Sequence, residues 1–328
     1  MSRVLVTGAN GFVGSHLLTA LAGRGLPARA AVRMAGWEAS GPVPRDCCIV
    51  GTIDGSTDWR AALEGCDAVV HLAARVHVVR ERRDAYAEYR ETNVEATRAL
   101  AQQSAAAGIR RFLLASTVKV HGEGRPEPYA ETDAPAPRDG YARSKLEAER
   151  TLREIASGTS MEATILRIPL VYGPRVGGNF LKLMQAVDAG IPLPFGSVEN
   201  RRSLIYVGNL ADAILACLAH PAAAQRTFLV SDGDDISTPE LVRRLARALG
   251  HRPRLLPVPV ALLRAAGVLS GRRATIERMV GSFSVDSGAI RATLGWAPTF
   301  TVEAGLARTA AWYLDTRRPP GLQGARGS

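Results

Sequence analysis

Residues 3–14 read Arg3-Val4-Leu5-Val6-Thr7-Gly8-Ala9-Asn10-Gly11-Phe12-Val13-Gly14, and this run decides the fold. An apolar β-branched stretch enters a turn with three glycines, and an amphipathic segment follows at once. That order predicts a buried strand over Arg3–Thr7, a tight turn, and a helix over Gly14–Arg24. Glycines at such a turn allow positive φ, close approach of a pyrophosphate to backbone N–H groups, and tight helix–strand packing. A glycine triplet alone marks many turns; one placed between the first strand and first helix of a βαβ run points to a dinucleotide.

Working outward, short β-branched runs continue to alternate with longer helical segments. Strands are predicted at Ala28–Val32, Cys48–Val50, Ala68–Leu72, Arg111–Ala115 and Ala163–Arg167, with helices at Thr92–Ala107, opened by Asn93, and Tyr141–Ala156. This pattern is that of an α/β protein with a Rossmann-type, doubly wound parallel sheet. Beyond residue 170 the alternation loosens around Gly177-Gly178, Pro192, Pro194, Pro257 and Pro259, which suggests a smaller, discontinuous α/β substrate-binding lobe. Ser203–Leu218, a short strand then a helix, and Thr227–Ser231, a late strand, read as returns to the main domain. The expected division is 1–173 plus 203–232 for the dinucleotide-binding domain and 174–202 plus 233–316 for the lobe. Residues 317–328, with Pro319, Pro320 and Gly321, read as a flexible tail.

Bulk properties exclude several classes. The 328 residues are 46% hydrophobic and 22% charged, an ordinary globular composition. The net charge of +10 is spread along the chain; with three lysines (Lys119, Lys145, Lys182), nearly all the basic residues are arginine and none forms a block, so no nucleic-acid partner is expected. Cys47, Cys48, Cys66 and Cys217 show neither CxxC spacing nor histidine partners, and read as reduced thiols with no metal site. The strand at the N-terminus leaves no space for a signal segment, and no apolar run approaches about 18 residues, so a cytoplasmic protein with no membrane partner is expected.

Tyr141-Ala142-Arg143-Ser144-Lys145 carries the chemistry. Four residues apart on a helix, Tyr141 and Lys145 share a face. A phenol can exchange a proton with a carbinol oxygen while hydride moves on the carbon, provided its pKa is brought toward working pH, and an ammonium beside it would do that. Lysine is informative in a chain that otherwise uses arginine, because a point charge differs from a guanidinium fork.

The Gly-x-x-Gly-x-x-Gly spacing behind Thr7, together with Asp67-Ala68-Val69-Val70-His71-Leu72-Ala73-Ala74, Asn93 and the Tyr141–Lys145 pair, resembles the extended branch of the short-chain dehydrogenase/reductase superfamily, from about residue 3 to about 310. The resemblance implies a catalytic Thr117 in Leu114-Ala115-Ser116-Thr117-Val118-Lys119-Val120-His121-Gly122, with Ser116 in reserve. It implies cofactor contacts from Gly8, Asn10, Gly11, Phe12, Val13, Gly14, Thr52, Ile53, Leu72, Ala73, Ala74, Asn93, Tyr141, Lys145 and Pro169. The adenine-binding aspartate of the family is absent from Val50-Gly51-Thr52-Ile53, so that contact is made by the backbone of Ile53 or not at all. Arg33 ends the second strand with no carboxylate until Glu38, a pattern that suits the 2′-phosphate of NADP more than the free ribose of NAD. His71 and His121 read as structural.

Further on, Arg167-Ile168-Pro169-Leu170-Val171-Tyr172-Gly173-Pro174, Asn179-Phe180, Leu193-Pro194-Phe195-Gly196 and Arg201-Arg202-Ser203-Leu204-Ile205-Tyr206-Val207 resemble nucleotide-sugar enzymes. By that resemblance Asn179 and Arg202 hold a diphosphate, Phe195 lies by uracil, and Thr117 holds the sugar oxygen; Leu170 stands where epimerases often carry asparagine. Dehydratases of the family place Asp and Glu where Val118 and Lys119 stand, which argues against dehydration. The reading is an NADPH-dependent reduction at C4 of a UDP-4-keto-6-deoxy-N-acetylhexosamine for cell-surface polysaccharide. The alternatives are a UDP-hexose 4-epimerase with bound NAD and a non-catalytic NAD(P)-binding sensor. The resemblance also implies a homodimer through Thr92–Ala107 and Tyr141–Ala156.

Overall fold

A computed structural model describes residues 3–34, 46–76 and 85–317. In chain order the elements are β1 (Val4–Thr7), α1 (Phe12–Gly23), β2 (Ala28–Val32), β3 (Asp46–Ile49), α2 (Arg60–Leu63), β4 (Ala68–His71), α3 (Ala85–Arg90), α4 (Ala96–Ala106), β5 (Arg111–Thr117), α5 (Gly140–Ser157), β6 (Glu162–Ile168), β7 (Leu170–Tyr172), α6 (Gly178–Asp188), β8 (Leu204–Tyr206), α7 (Val207–Ala219), β9 (Arg226–Leu229), α8 (Thr238–Ala248), α9 (Val260–Leu269), α10 (Arg273–Val280), α11 (Gly288–Leu294) and α12 (Val302–Arg317).

Seven strands form one sheet in the order β3-β2-β1-β4-β5-β6-β9, and every pairing is parallel. The order reverses at β1, which pairs with β2 on one side and β4 on the other. A crevice opens at such a switch point outside the carboxyl ends of the strands. Register brings those ends level: Thr7 lies opposite Ala31 and His71, His71 opposite Leu114, and Thr117 opposite Ile168.

Helices cover both faces, which is why the strands read as continuous apolar runs. Side chains alternate between the faces. Val4, Val6 and Val70 pack with Leu17 and Leu21 of α1 and Leu210 and Ile214 of α7. Leu5, Val69, Phe112 and Leu114 pack instead with Trp59, Leu100 of α4 and Leu152 of α5. The smaller lobe has its own core, in which Tyr172, Phe180, Met184 and Tyr206 meet Leu241 and Leu245 of α8 and Leu306 of α12. The parallel strands β7 and β8, which the sequence division gave to the dinucleotide-binding domain, instead pair with each other apart from the main sheet, and Tyr172 and Tyr206 join this second core.

Several sequence expectations shift. The third strand begins at Asp46, whose carboxylate accepts from Arg29 Nε at 2.9 Å, and ends at Ile49 rather than Val50. Asn93 does not open a helix: α3 and α4 are joined by a wider π turn, Glu91–Glu95, with Asn93 inside it. Ile290 and Trp296, assigned from sequence to the lobe, pack in the core of the main sheet beside Phe228 and Ala223. Glu38 and residues 318–328 of the expected tail lie outside the described residues; Arg317 closes α12.

Candidate active site

The glycine turn has the geometry its sequence demands. Gly8 adopts φ +64°, and a Cβ on it would stand 2.8 Å from Ala73 N, where the loop after β4 crosses the turn. At Gly14 a Cβ would stand 2.2 Å from Gly8 O, so helix and turn touch backbone to backbone. Gly11 is the N-cap of α1, and no side chain caps the helix. The first-turn N–H groups of Phe12 and Val13 are therefore offered to an anion, with the helix dipole behind them. Thr7 Oγ1 bonds His71 Nδ1 at 2.7 Å and accepts from Ala73 N at 3.2 Å, which staples Leu72-Ala73-Ala74 across the turn.

Around this cradle the other residues expected to meet a cofactor take distinct places. Arg33 is exposed one residue beyond β2, at the same edge of the sheet as Gly8. Thr52 is exposed, whereas the side chain of Ile53 lies in the core, so only its backbone can face a ligand. Pro169 is buried between β6 and β7. Both amide hydrogens of Asn93 are committed, one to Arg75 O at 3.1 Å and one to Ser144 Oγ at 2.9 Å, and its Oδ1 accepts from Arg75 N. Asn93 thus braces the loop after β4 against α5.

Thr117, at the carboxyl end of β5, and Tyr141, in the first turn of α5, are brought together, near enough for the threonine side chain to favour the phenolate. Asp139 caps α5, its Oδ1 accepting from Ala142 N at 2.7 Å, and this fixes where the first turn begins. Burial, with the charge of Asp139, pushes the Tyr141 phenol well above its usual range, and the Thr117 side chain pulls the other way. This shift runs opposite to the lowering that the sequence reading asks of Lys145. Lys145 is buried, and desolvation brings its ammonium down to about 8 against an opposing pull from Glu149.

The buried ring behind these groups was not read from the sequence. Glu149, on α5 one turn beyond Lys145, is fully buried and accepts from Arg167 Nε at 3.1 Å and Nη2 at 2.7 Å, from Ser116 Oγ, and from Arg153 Nη2. Arg167 continues to His121 Nε2 at 2.9 Å. One carboxylate therefore ties together the ends of β5 and β6 and the catalytic face of α5. Ser116, held in reserve for catalysis, has its hydroxyl committed to Glu149. The spacing Tyr141, Lys145, Glu149, at i, i+4 and i+8, was the available signal. Each histidine has a ring nitrogen committed within the fold, His71 to Thr7 and His121 to Arg167, and burial takes His71 down to about 3, while burial with Arg167 takes His121 down to about 4. Val118 is buried, and Lys119 is ion-paired with Asp139.

Toward the lobe, Leu170 is 46% exposed on β7, and Asn179 is exposed in the first turn of α6. Phe195 is buried against Val198, Leu263 and Val280. The Arg202 guanidinium donates to the carbonyls of Arg278 at 2.6 Å and Gly281 at 3.1 Å, and burial lowers its pKa. The arginine expected on a diphosphate thus already spends donors on main chain at the end of α10.

A glycine turn at the switch point of a parallel sheet, with Thr117, Tyr141 and Lys145 across the crevice, defines a nicotinamide-dependent enzyme of the extended short-chain dehydrogenase/reductase class. Residues 4–231 match the NAD dependent epimerase/dehydratase family, and the chain belongs to it. It is 42% identical over 317 residues to a UDP-glucose 4-epimerase of Vibrio cholerae, covering 95% of each chain. Among solved structures, MoeE5 in complex with UDP-glucuronic acid and NAD superposes with a TM-score of 0.76 at 26% identity, over 96% of this chain and 99% of that one. The UDP-glucose 4-epimerase of Thermus thermophilus in complex with NAD gives 0.76 at 25% identity, over 95% and 99%.

Proposed function

We propose that this enzyme interconverts the C4 epimers of a UDP-hexose. The observation that carries the reading is the convergence of Thr117, at the end of β5, with Tyr141 and buried Lys145 on α5, at the same edge of the sheet as the cradle formed by Gly8, Gly11 and Gly14. The cradle fits a dinucleotide, since Gly8 and Gly14 let the turn, α1 and the loop after β4 close on one another, and the first-turn N–H groups of α1 have no side-chain cap to compete with a pyrophosphate. When bound, the nicotinamide supplies hydride acceptance and donation at the sugar C4 carbon.

The protein's own residues govern the proton. Tyr141 Oη exchanges it with the C4 oxygen, Thr117 Oγ1 holds that oxygen and steadies charge developing on it, and Lys145 supplies the positive charge that favours a tyrosinate. Asn179, Phe195 and Arg202 would meet the UDP portion, with Arg202 turning from the α10 carbonyls toward the diphosphate. UDP sugars are bound by MoeE5, and the 42% identical relative carries the epimerase name; both support the reading. Dehydration is disfavoured because buried Val118 and ion-paired Lys119 occupy the positions where an acid and a base would be needed.

A second reading, reduction of a UDP-4-keto-6-deoxy-N-acetylhexosamine by exchanged NADPH, is favoured by Arg33, exposed at the end of β2 where it could meet a 2′-phosphate. The test is the nucleotide that copurifies. NAD retained in stoichiometric amount supports epimerisation; an empty site that takes up NADPH supports the reductase and overturns the first reading. A homodimer through the exposed sides of α4 and α5 belongs to the same proposal, and sedimentation checks it.

A further inference from the structure

The outer face of α9 is built unlike a solvated helix. Leu263 and Gly267, four residues apart, turn inward, and Gly267 sits so close to Ile276 of α10 that a Cβ would stand 2.9 Å from its Cγ1. The outward side holds Ala261, Leu262, Ala265, Ala266, Val268 and Leu269, with Leu262 60%, Val268 59% and Leu269 89% exposed. Arg264 interrupts this face at its edge, paired with Glu277 at 3.1 Å, and the turn after the helix presents Arg272 and Arg273, both exposed. Between residues 251 and 280 the chain has six arginines against one acid, Glu277, whereas the whole chain has 41 basic against 31 acidic residues.

We propose that α9 and the Arg272–Arg273 turn seat the smaller lobe on an anionic phospholipid surface. A short helix with an apolar outer side and arginines at its rim is the pattern that lies in the plane of a headgroup layer, apolar side chains down and guanidinium groups at the phosphates. Ten residues rise about 15 Å, half of what a span needs. Among the described residues no helix is long and apolar enough to cross a membrane, so the proposed contact is that of a helix lying on the surface, against the sequence expectation of no membrane partner. A second copy answers the charge less well, because a two-fold contact through this strip brings arginines from both copies to one seam whose stretch 251–280 holds a single acid, Glu277, already paired with Arg264. An acidic groove on a protein would answer the arginines but not so flat a run of alanine and leucine. The proposal is independent of which sugar is turned over, since none of these residues belongs to the catalytic or cofactor machinery.

The test uses the intact protein and extruded vesicles of phosphatidylcholine with or without phosphatidylglycerol, separated by flotation at low and high salt. Wild type is expected to float with the phosphatidylglycerol vesicles at low salt and to stay behind with phosphatidylcholine alone. The double variant Leu262→Glu/Leu269→Glu is expected to lose at least about tenfold in vesicle binding, and Arg272→Gln/Arg273→Gln to lose the salt-sensitive part, both with solution activity unchanged. Retention of wild type in the soluble fraction overturns the proposal, as does equal flotation of the Leu262→Glu/Leu269→Glu variant. If that variant instead lowers the sedimenting mass, a second copy covers the face and the lipid assignment is wrong. If wild type ignores vesicles and captures acidic polypeptides through these arginines, a protein partner replaces it.

Discussion

At the carboxyl edge of the main sheet, charged side chains are sealed away from water: Glu149 has no exposed area and Lys145 and Arg167 almost none. On α9 the reverse holds, and Leu269 stands 89% exposed. A buried carboxylate is tolerated only when its oxygens are satisfied, and satisfying them fixes the strands and helix that supply the donors. An exposed leucine forgoes about 1.5–3 kcal/mol of burial until something covers it. The first region is rigid by construction and suits chemistry; the second is unfinished and suits contact.

The contrast can be broken at the catalytic edge first. Tyr141→Phe removes the hydroxyl proposed to move the proton, and turnover should fall by about 10²–10⁴-fold. Steady-state kinetics with an unchanged melting temperature would locate the loss in chemistry, and undiminished turnover would remove Tyr141 from the mechanism. Next in size, Glu149→Gln leaves Arg167 without its buried partner and should cost about 3–5 kcal/mol of stability in urea unfolding. It carries a second readout. Glu149 holds the Lys145 pKa up, and Lys145 in the free enzyme loses its proton as pH rises through about 8, so kcat/KM should fall on that alkaline side. Removing the carboxylate lowers the Lys145 pKa, and the limb should move to lower pH. If stability drops while the limb stays, Glu149 braces the fold and does not position Lys145.

Smaller effects test the cradle. Gly14→Ala forces a methyl against Gly8 O and should cost about 1–3 kcal/mol, read as weaker nucleotide binding by calorimetry. Unchanged affinity would mean that the turn relaxes without moving the backbone donors. Arg33→Asp is the mildest change: the ratio of NADPH to NADH affinity should fall about tenfold, the worth of one charge-assisted hydrogen bond. An equal loss of both nucleotides would mean that Arg33 meets no 2′-phosphate.

Much of this was legible in the chain. The glycine turn declared itself because a backbone that must approach a phosphate excludes side chains, and that exclusion is written as residue type. Tyr141 and Lys145 were paired because the helical period puts i and i+4 together, whereas Thr117 came from the resemblance of Leu114–Gly122 to a segment of the family. Asn93 was misplaced as a helix opener: asparagine does favour caps, but its amide here is satisfied inside a π turn by Arg75 and Ser144, a tertiary arrangement no local preference encodes. Glu149 and Arg167 were missed because each looks like ordinary surface charge until the fold buries it. Arg202 was recognised by its neighbours, but where its guanidinium rests depends on the end of α10, 76 residues away. The rise of the Tyr141 pKa was likewise invisible, since burial depends on what packs over the ring.

The most direct measurement gives the purified enzyme UDP-galactose or UDP-N-acetylgalactosamine with no added nucleotide and follows the sugar by proton NMR. The account predicts appearance of the corresponding gluco sugar with no net change in nicotinamide absorbance, and loss of that activity in Tyr141→Phe. If both sugars remain untouched while a UDP-4-keto-6-deoxy-N-acetylhexosamine consumes NADPH, the enzyme is a reductase and the epimerase reading is contradicted.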